Sequence, residues 1–318
     1  MARKPRVQYP GAVYHVMSRG NRRKRIVRTD ADRQLLLKTL GEACQKAGFQ
    51  VHAFCLMNNH FHLVLETPQG NLVAGMKWFL STYTARYNRR HKVFGHLFSG
   101  RYKALIVDAT TPGYLRTVCD YVHLNPVRAR LLKVEQHLAE FPWSSYPEYL
   151  KTPSRRLAWL RVDRVLGEWR IPKDSEAGRR RFQEIMEERR AMDNREDYKP
   201  LRRGWCLGDG DFKKELLAQM EERRGQWHYG EELRESSEQK AERLVKAALR
   251  ERGWKEADLP RRPKGDPVKV KMALRLREQT VMTMEWIANR LQMGTRSHLN
   301  HLLYWHRRGK RPNQRQVT

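Results

Sequence analysis

The sequence predicts an α+β sandwich built on an antiparallel sheet, followed by an all-α C-terminal region. Three observations predict it. Over the first 150 residues, short runs rich in β-branched and aromatic residues alternate with longer runs whose apolar residues recur at helical spacing. Two of the short runs are separated by two asparagines, the spacing of a hairpin. Beyond residue 150 the strand pattern stops, and heavily charged, helix-spaced sequence takes over.

The first strand is "GAVYHVMSR" (11–19), which follows the turn signal Pro10-Gly11. A helix is expected over 30–47, where Leu35, Leu36, Leu40 and Cys44 share a face and Asp30 stands at the N-cap. "FQVHAFCLM" (49–57) and "HFHLVLE" (60–66) read as strands joined at Asn58-Asn59. A second helix spans 71–90, with Leu72, Met76, Phe79, Tyr83 and Tyr87 on one face. "RYKALIVD" (101–108) is the next strand. A third helix over 111–125 begins at Thr111-Pro112, an N-cap and first-turn signature. The order β-α-β-β-α-β-α, with its central hairpin, is that of a ferredoxin-like sandwich with helices over one face.

The expected divisions are 1–150, a charged helical middle segment at 151–235, and a helical region at 236–318. In the middle segment, 179–197 reads as a solvated helix and then a loop. The stretch 204–224 reads as a glycine-rich turn entering a helix capped near Asp209 or Asp211. Its Gly-Asp-Gly-Asp lacks the downstream oxygen ligands of a calcium loop. The last region is helical to about residue 308, with an interruption at 259–268. Residues 283–305 read as helix, turn, helix: Thr283 and Thr295 cap, Gly294 turns, and Trp286, Ile287, Leu291, Leu299, Leu302 and Leu303 face inward. Arg296, Ser297, His298 and Asn300 then point outward near an N-terminus, where a recognition helix meets bases. An ordinary helical hairpin has the same pattern, and the turn is one residue longer than usual.

Charge narrows the function. The 318 residues hold 64 basic against 35 acidic side chains, a net charge of +29 spread along the chain. Such a field attracts polyanions, and nucleic acid is the expected partner. No run reaches the roughly 18 apolar residues of a spanning helix, so a membrane is not expected. The basic N-terminus has no apolar h-region, which argues against secretion. The four cysteines form no C-x-x-C pair and read as reduced thiols of a cytoplasmic protein. There is no G-x-x-x-x-G-K-[ST] loop, so no nucleotide cofactor is expected.

The most suggestive short motif is "LMNNHFHLVLE" (56–66). In a strand, His60 and His62 project to the same side and Phe61 to the other. Two imidazoles on one strand make most of a divalent-metal site. With 12 histidines in the chain, however, a His-x-His pair arises by chance about half the time, and two packed histidines explain the spacing equally well. Sixty residues on, "VCDYVHLNPVRA" (118–129) places Tyr121 and Asn125 one turn apart. An amide oxygen suits a hard cation such as Mg²⁺ or Mn²⁺. Pro126 disfavours helix at Asn125, and Tyr121 is equally readable as a core aromatic.

The ordered set "YHVMSRGNRR" (14–23), "MNNHFHLVLE" (57–66), "FGHLFSGRYKALIV" (94–107), "YVHLNPVRA" (121–129) and "FPWSSY" (141–146) resembles the REP-associated tyrosine transposases. These are IS200-like, single-tyrosine members of the HUH superfamily. The resemblance covers about residues 8–150, and "LGDGDF" (207–212) resembles the longer members. It implies that His60 and His62 hold a divalent metal, Mg²⁺ or Mn²⁺, with Asn125 as third ligand where relatives often carry Gln. It implies that Tyr121 is the nucleophile, and that the substrate is single-stranded DNA folded into imperfect palindromic hairpins. Arg19, Asn21, Arg22, Arg23, Arg101, Lys103 and Arg128 flank these motifs and are expected on the DNA, as are Arg296, His298 and Asn300 of the C-terminal module. A rolling-circle initiator or relaxase shares the histidine pair, and a non-enzymatic DNA-binding regulator shares the fold. Whether the chain acts as a monomer or a homodimer is not legible in the sequence.

Overall fold

A computed structural model of the protein describes residues 7–193, 198, 201, 204–224 and 231–307. By its internal contacts the chain forms two compact units, Met1–Tyr229 and Gly230–Thr318.

The first unit is built on a five-stranded sheet: β1 Ala12–Arg19, β2 Gln50–Leu56, β3 His60–Thr67, β4 Lys103–Val107 and the two-residue β5 Cys206–Leu207. Their order across the sheet is β2-β3-β1-β4-β5. The first four strands pair antiparallel as the sequence predicts; β5 joins β4 in parallel and was not expected. Helices α1 Asp30–Ala47, α2 Leu72–His91 and α3 Tyr114–His123 complete the sandwich, and α4 Asn125–Arg128 follows α3 directly.

The pleat assigns the faces. Phe61 of β3 meets Phe79 of α2 and Phe98, so its neighbours His60 and His62 face the other way. α1 packs beside α2, while α3 packs on β2 and β3 and meets His62 through Tyr121. The helices therefore cover both faces rather than one.

Two helix starts differ from expectation. The N-cap of α1 is Thr29, not Asp30. Thr29 accepts from the Asp32 amide and Asp32 accepts from the Thr29 amide, a reciprocal capping box that Asp30 has no partner to form. Buried Asp32 also bonds His91 at 2.8 Å and Arg90 at 3.1 Å, tying α1 to the end of α2. The third helix starts at Tyr114, not Thr111. The Thr110 and Thr111 amides close a turn on Asp108 Oδ1, and Gly113 stands in left-handed backbone (φ 99°) with its N–H donated to Glu168 at 2.7 Å. α3 ends at His123, and Asn125 opens the next short helix with Pro126 in its first turn.

Both sheet edges are covered from beyond residue 140. Leu56 N donates to Trp143 O, Ser145 N to Phe54 O and Arg161 N to Val51 O, which closes the outer edge of β2. Ile106 N donates to Trp205 O and Asp108 N to Leu207 O on the opposite edge. The segment expected as a separate middle region thus lies almost wholly within the first unit. Helix Glu176–Ala191 forms as expected, and the loop expected after it at 194–197 lies outside the described residues. Helix Gly210–Arg224 is capped by Asp209, whose Oδ1 accepts from Phe212 N at 2.8 Å. All four cysteines are free thiols.

The second unit is helical. Its core draws on Val245, Leu249, Ala273, Leu276, Ile287, Leu291, Leu299 and Leu303. Thr283 caps Met284–Arg290 by accepting from Trp286 N, Gly294 turns at φ 84°, and Thr295 accepts from His298 N ahead of Arg296–Arg307. The helix-turn-helix pattern and its caps are as the sequence predicts. The expected end near 308 lies outside the described residues. Lys269 is fully buried, and its Nζ donates to the carbonyls of Leu259, Arg262 and Gln292. Among the described residues no helix is long and apolar enough to cross a membrane.

Gly75 on α2 sets how closely that helix approaches the β2 end of the sandwich. A Cβ there would lie 2.1 Å from the Phe49 ring and 2.9 Å from Ala47 Cβ. Alanine would gain about 1 kcal/mol of helix propensity. Overpacking against a buried ring costs about 1–3 kcal/mol. Gly75→Ala is therefore expected to lower the unfolding free energy in urea by about 1 kcal/mol net; a gain in stability would show that Phe49 is free to move aside.

Candidate active site

Two strands and one helix bring the site together. His60 and His62 lie two residues apart on β3 with ring centroids 5.1 Å apart, edge to face. On the neighbouring β1, Met17 pairs with His62 and His15 with Val64, so His15 lies diagonally beside His62. Its Nε2 is 2.9 Å from His62 Nδ1, and the two rings are stacked. From α3, Tyr121 meets both edge-on, at 5.6 Å from His15 and 5.7 Å from His62. Asn125, one turn further, donates from Nδ2 to Tyr121 O at 3.1 Å, which leaves its Oδ1 for another partner. These five side chains line one cavity of about 310 Å³, together with Arg19 and Lys103.

The donor atoms suit a divalent cation. His60 Nδ1 bonds Asn59 Oδ1 at 2.7 Å, and His62 Nδ1 bonds His15, so Nε2 is the unengaged nitrogen of both rings. Two imidazole nitrogens and the Asn125 Oδ1 make an N₂O set compatible with Mg²⁺ or Mn²⁺. Burial keeps the rings neutral, as ligation requires. It pushes His15 down to about 4. It pushes His60 to about 4 as well, helped by the charge of Arg19. His62 lies well below its ordinary value through burial and then its neighbours His15 and His60.

Tyr121 is half-buried and held from behind. Its ring packs against Tyr198 at 5.5 Å, and the Arg128 guanidinium lies over both rings. Arg128 makes a two-pronged pair with Asp193 at 2.6 and 2.8 Å and donates to Tyr121 O at 2.9 Å. Expected on the DNA, Arg128 is instead committed inside the protein: its side chain is 8 % exposed. His123 lies elsewhere on α3, fully buried against Ser145.

The other expected DNA contacts are exposed. Arg19 ends β1, and Asn21–Arg23 form a single 3₁₀ turn. Arg22 (φ 52°) and Arg23 (φ 60°) both adopt left-handed backbone, which side chains other than Gly, Asn and Asp rarely take. The turn is pinned to its surroundings: Gly20 N donates to Asn59 O, Asn21 N to Leu97 O, and Asn59 Nδ2 to Arg23 O. Arg101 and Lys103 are exposed at the start of β4. Among the described residues, none of Arg19, Arg22, Arg23, Arg101 and Lys103 is in an ion pair, whereas Arg86, Arg156 and Arg164 are each tied to a carboxylate. Arg296, His298 and Asn300 are exposed at the start of the last helix of the second unit.

The sequence reading missed His15, Asn59 and Tyr198. His15 stands in "YHVM" on the strand face opposite Tyr14, but only the register between β1 and β3 shows that it meets His62.

The buried imidazoles couple stability to pH. In the unfolded chain a histidine takes its proton near pH 6.5; in the folded chain His15, His52, His60, His62 and His123 all take it lower. Between those values the unfolded state binds more protons, so stability falls as pH drops below 6.5. Asp120, pushed up to about 7 by burial, works the opposite way with one proton. The five histidines outweigh it. Unfolding free energy measured in urea is expected to decline from pH 7 to pH 4.5 by several kcal/mol, at about 1.4 kcal/mol per pKa unit. A flat profile would show these rings to be solvated.

Residues 8–125 match a family model described as "Transposase IS200 like". No curated protein matches the chain. Among solved structures, one of a REP-associated tyrosine transposase bound to a REP hairpin matches at 15% identity with a TM-score of 0.40, over 51% of this chain and 92% of that one. The strands and the helix that converge on His60, His62 and Tyr121 fall within the residues that match this IS200-like family model.

Proposed function

We propose that the protein is a metal-dependent transposase that cleaves and rejoins single-stranded hairpin DNA through a 5′-phosphotyrosine. The observation that carries this reading is the convergence of Tyr121 with His60, His62 and Asn125 in one cavity, within the residues that match the IS200-like family model. The match of residues 8–125 to that family model supports transposase chemistry; the residue roles rest on the geometry and on the motif resemblance.

His60 Nε2, His62 Nε2 and Asn125 Oδ1 would hold the cation. When bound, it supplies a charge that polarises a non-bridging phosphate oxygen and stabilises the phosphorane. Tyr121 Oη attacks the phosphorus, the bond to the 3′-oxygen breaks, and the 3′-oxygen leaves as a hydroxyl. One phosphodiester replaces another, so the step is nearly isoenergetic and a later 3′-hydroxyl reverses it in strand transfer. Arg128 and Tyr198 fix the tyrosine ring, and Asn125 anchors the carbonyl behind it. Arg19 and Lys103 line the cavity and meet the scissile phosphate's neighbours, while Asn21, Arg22, Arg23 and Arg101 extend the cationic path along the strand. In the second unit, Arg296, His298 and Asn300 contact paired DNA from the start of the last helix.

A denaturing gel of protein with end-labelled hairpin DNA and Mg²⁺ or Mn²⁺ tests the chemistry. The expected result is a covalent adduct on the 5′ side of the break and a free 3′-hydroxyl. Tyr121→Phe removes the adduct while hairpin binding stays within about threefold, because only a hydroxyl is lost. Chelation, His60→Ala or His62→Ala also removes it. An adduct that persists in Tyr121→Phe sinks the residue assignment; no adduct in the wild type under either metal leaves a DNA-binding regulator.

The second unit is tested separately. Replacing Arg296 and Asn300 together by alanine is expected to weaken duplex binding by about 1.4 kcal/mol or more, about tenfold or greater. Unchanged affinity would make this helix pair a structural hairpin.

A further inference from the structure

We propose that His15 is a positioning residue for His62: its Nε2 accepts the proton of His62 Nδ1 and so holds His62 in the tautomer whose Nε2 is free to bind a divalent cation. This rests on the metal reading of the previous subsection.

The contact has two possible polarities, and only one is compatible with ligation. If His15 Nε2–H donates, His62 Nδ1 accepts and the His62 proton sits on Nε2, where no cation can bind. If His62 Nδ1–H donates, Nε2 carries the lone pair. The second polarity also matches the neighbouring ring, where Asn59 Oδ1 can only accept from His60 Nδ1. Each of these two rings thus has its Nδ1 committed at 2.7 to 2.9 Å and its Nε2 open. A ligating histidine whose other nitrogen is held by an acceptor is the usual arrangement around a metal. Here the acceptor for one of them is another histidine.

His15 is fixed well enough for this role. It lies 6 % exposed on β1, the middle strand of the five-stranded sheet, with both neighbouring strands paired along it. Its ring is stacked on His62 at an interplanar angle of 17° and braced edge-on by Tyr121. Its Nε2 is engaged with His62 Nδ1, whereas the Nε2 atoms of His60 and His62 are open.

The test uses the full-length protein and Mn²⁺ alone, without DNA. Calorimetric Mn²⁺ affinity is compared for wild type, His62→Ala, His15→Leu and His15→Gln, with circular dichroism confirming the fold. His15→Leu keeps bulk but removes the acceptor and is expected to lose about 10- to 100-fold in affinity. His15→Gln returns an acceptor oxygen near the Nε2 position and recovers most of it. Long-range ¹H–¹⁵N spectra of the wild-type imidazoles provide a second readout that needs no variant to fold. They should show His62 protonated at Nδ1, and Mn²⁺ replaced by diamagnetic Zn²⁺ should give His62 Nε2 the large shift of direct coordination and His15 Nε2 only the small shift of a strengthened hydrogen bond. Wild-type affinity in folded His15→Leu, or a His62 proton on Nε2 in the metal-free wild type, overturns the proposal and leaves the metal site standing. A coordination-sized Zn²⁺-dependent shift of His15 Nε2, equal to that of His62 Nε2, makes it a ligand and also overturns it. Wild-type binding that is unaffected by His62→Ala overturns both this proposal and the metal reading beneath it.

Discussion

The pleat of β3 is the constraint on which the first unit depends. A strand offers its side chains alternately to two faces, so one short run must serve a core and a site together. Phe61, Leu63 and Leu65 are fully buried, and Phe61 locks into α2. His60 and His62 are then delivered to the other side without further instruction. A one-residue slip of register would exchange the two sets, putting imidazoles against Phe79 and a phenylalanine into the cavity. The apolar face therefore enforces the geometry of the polar one. The coverage of both sheet edges by segments beyond residue 140 reinforces the same register from outside.

Much of this architecture was legible in the sequence, because it is written in local patterns. Strand alternation, helical spacing and the Asn58-Asn59 break gave the elements and their order, and the caps at Thr283, Thr295 and Asp209 followed from side-chain chemistry at the right offsets. What escaped were facts of long range. Thr29 and Asp30 are both good caps by type, and only the reciprocal bonds of Asp32 decide between them. The two residues of β5 are too short to show periodicity. Arg128 belongs to a basic sequence, and nothing local reveals that Asp193, sixty-five residues on, neutralises it. His15 likewise needed a strand register before it could be joined to His62.

Charge is distributed with a purpose that the net value hides. The arginines that hold the fold are paired: Arg86 with Glu42, Arg156 with Asp174, Arg164 with Glu66 and Arg290 with Glu242. Among the described residues, Arg19, Arg22, Arg23 and Arg101 around the cavity mouth and the turn are in no ion pair. The imidazoles of the cavity are kept neutral chiefly by burial, and His60 and His62 also by the charge of Arg19. A neutral imidazole keeps the lone pair that a proton would otherwise take.

Asn59 has one side chain and two attachments. Its Oδ1 steadies His60, and its Nδ2 steadies the left-handed turn through Arg23 O. An amide is planar and rigid, so tilting one end tilts the other. The turn that would grip a strand and the ring that would grip a cation therefore share a single lever, and neither can fluctuate alone. Asparagine is hard to exchange at such a point: aspartate loses the donor, serine the reach, and glutamine the stiffness. Drift at this position would be felt at once in both the ring of His60 and the turn at Arg23, which makes it a poor place for neutral variation.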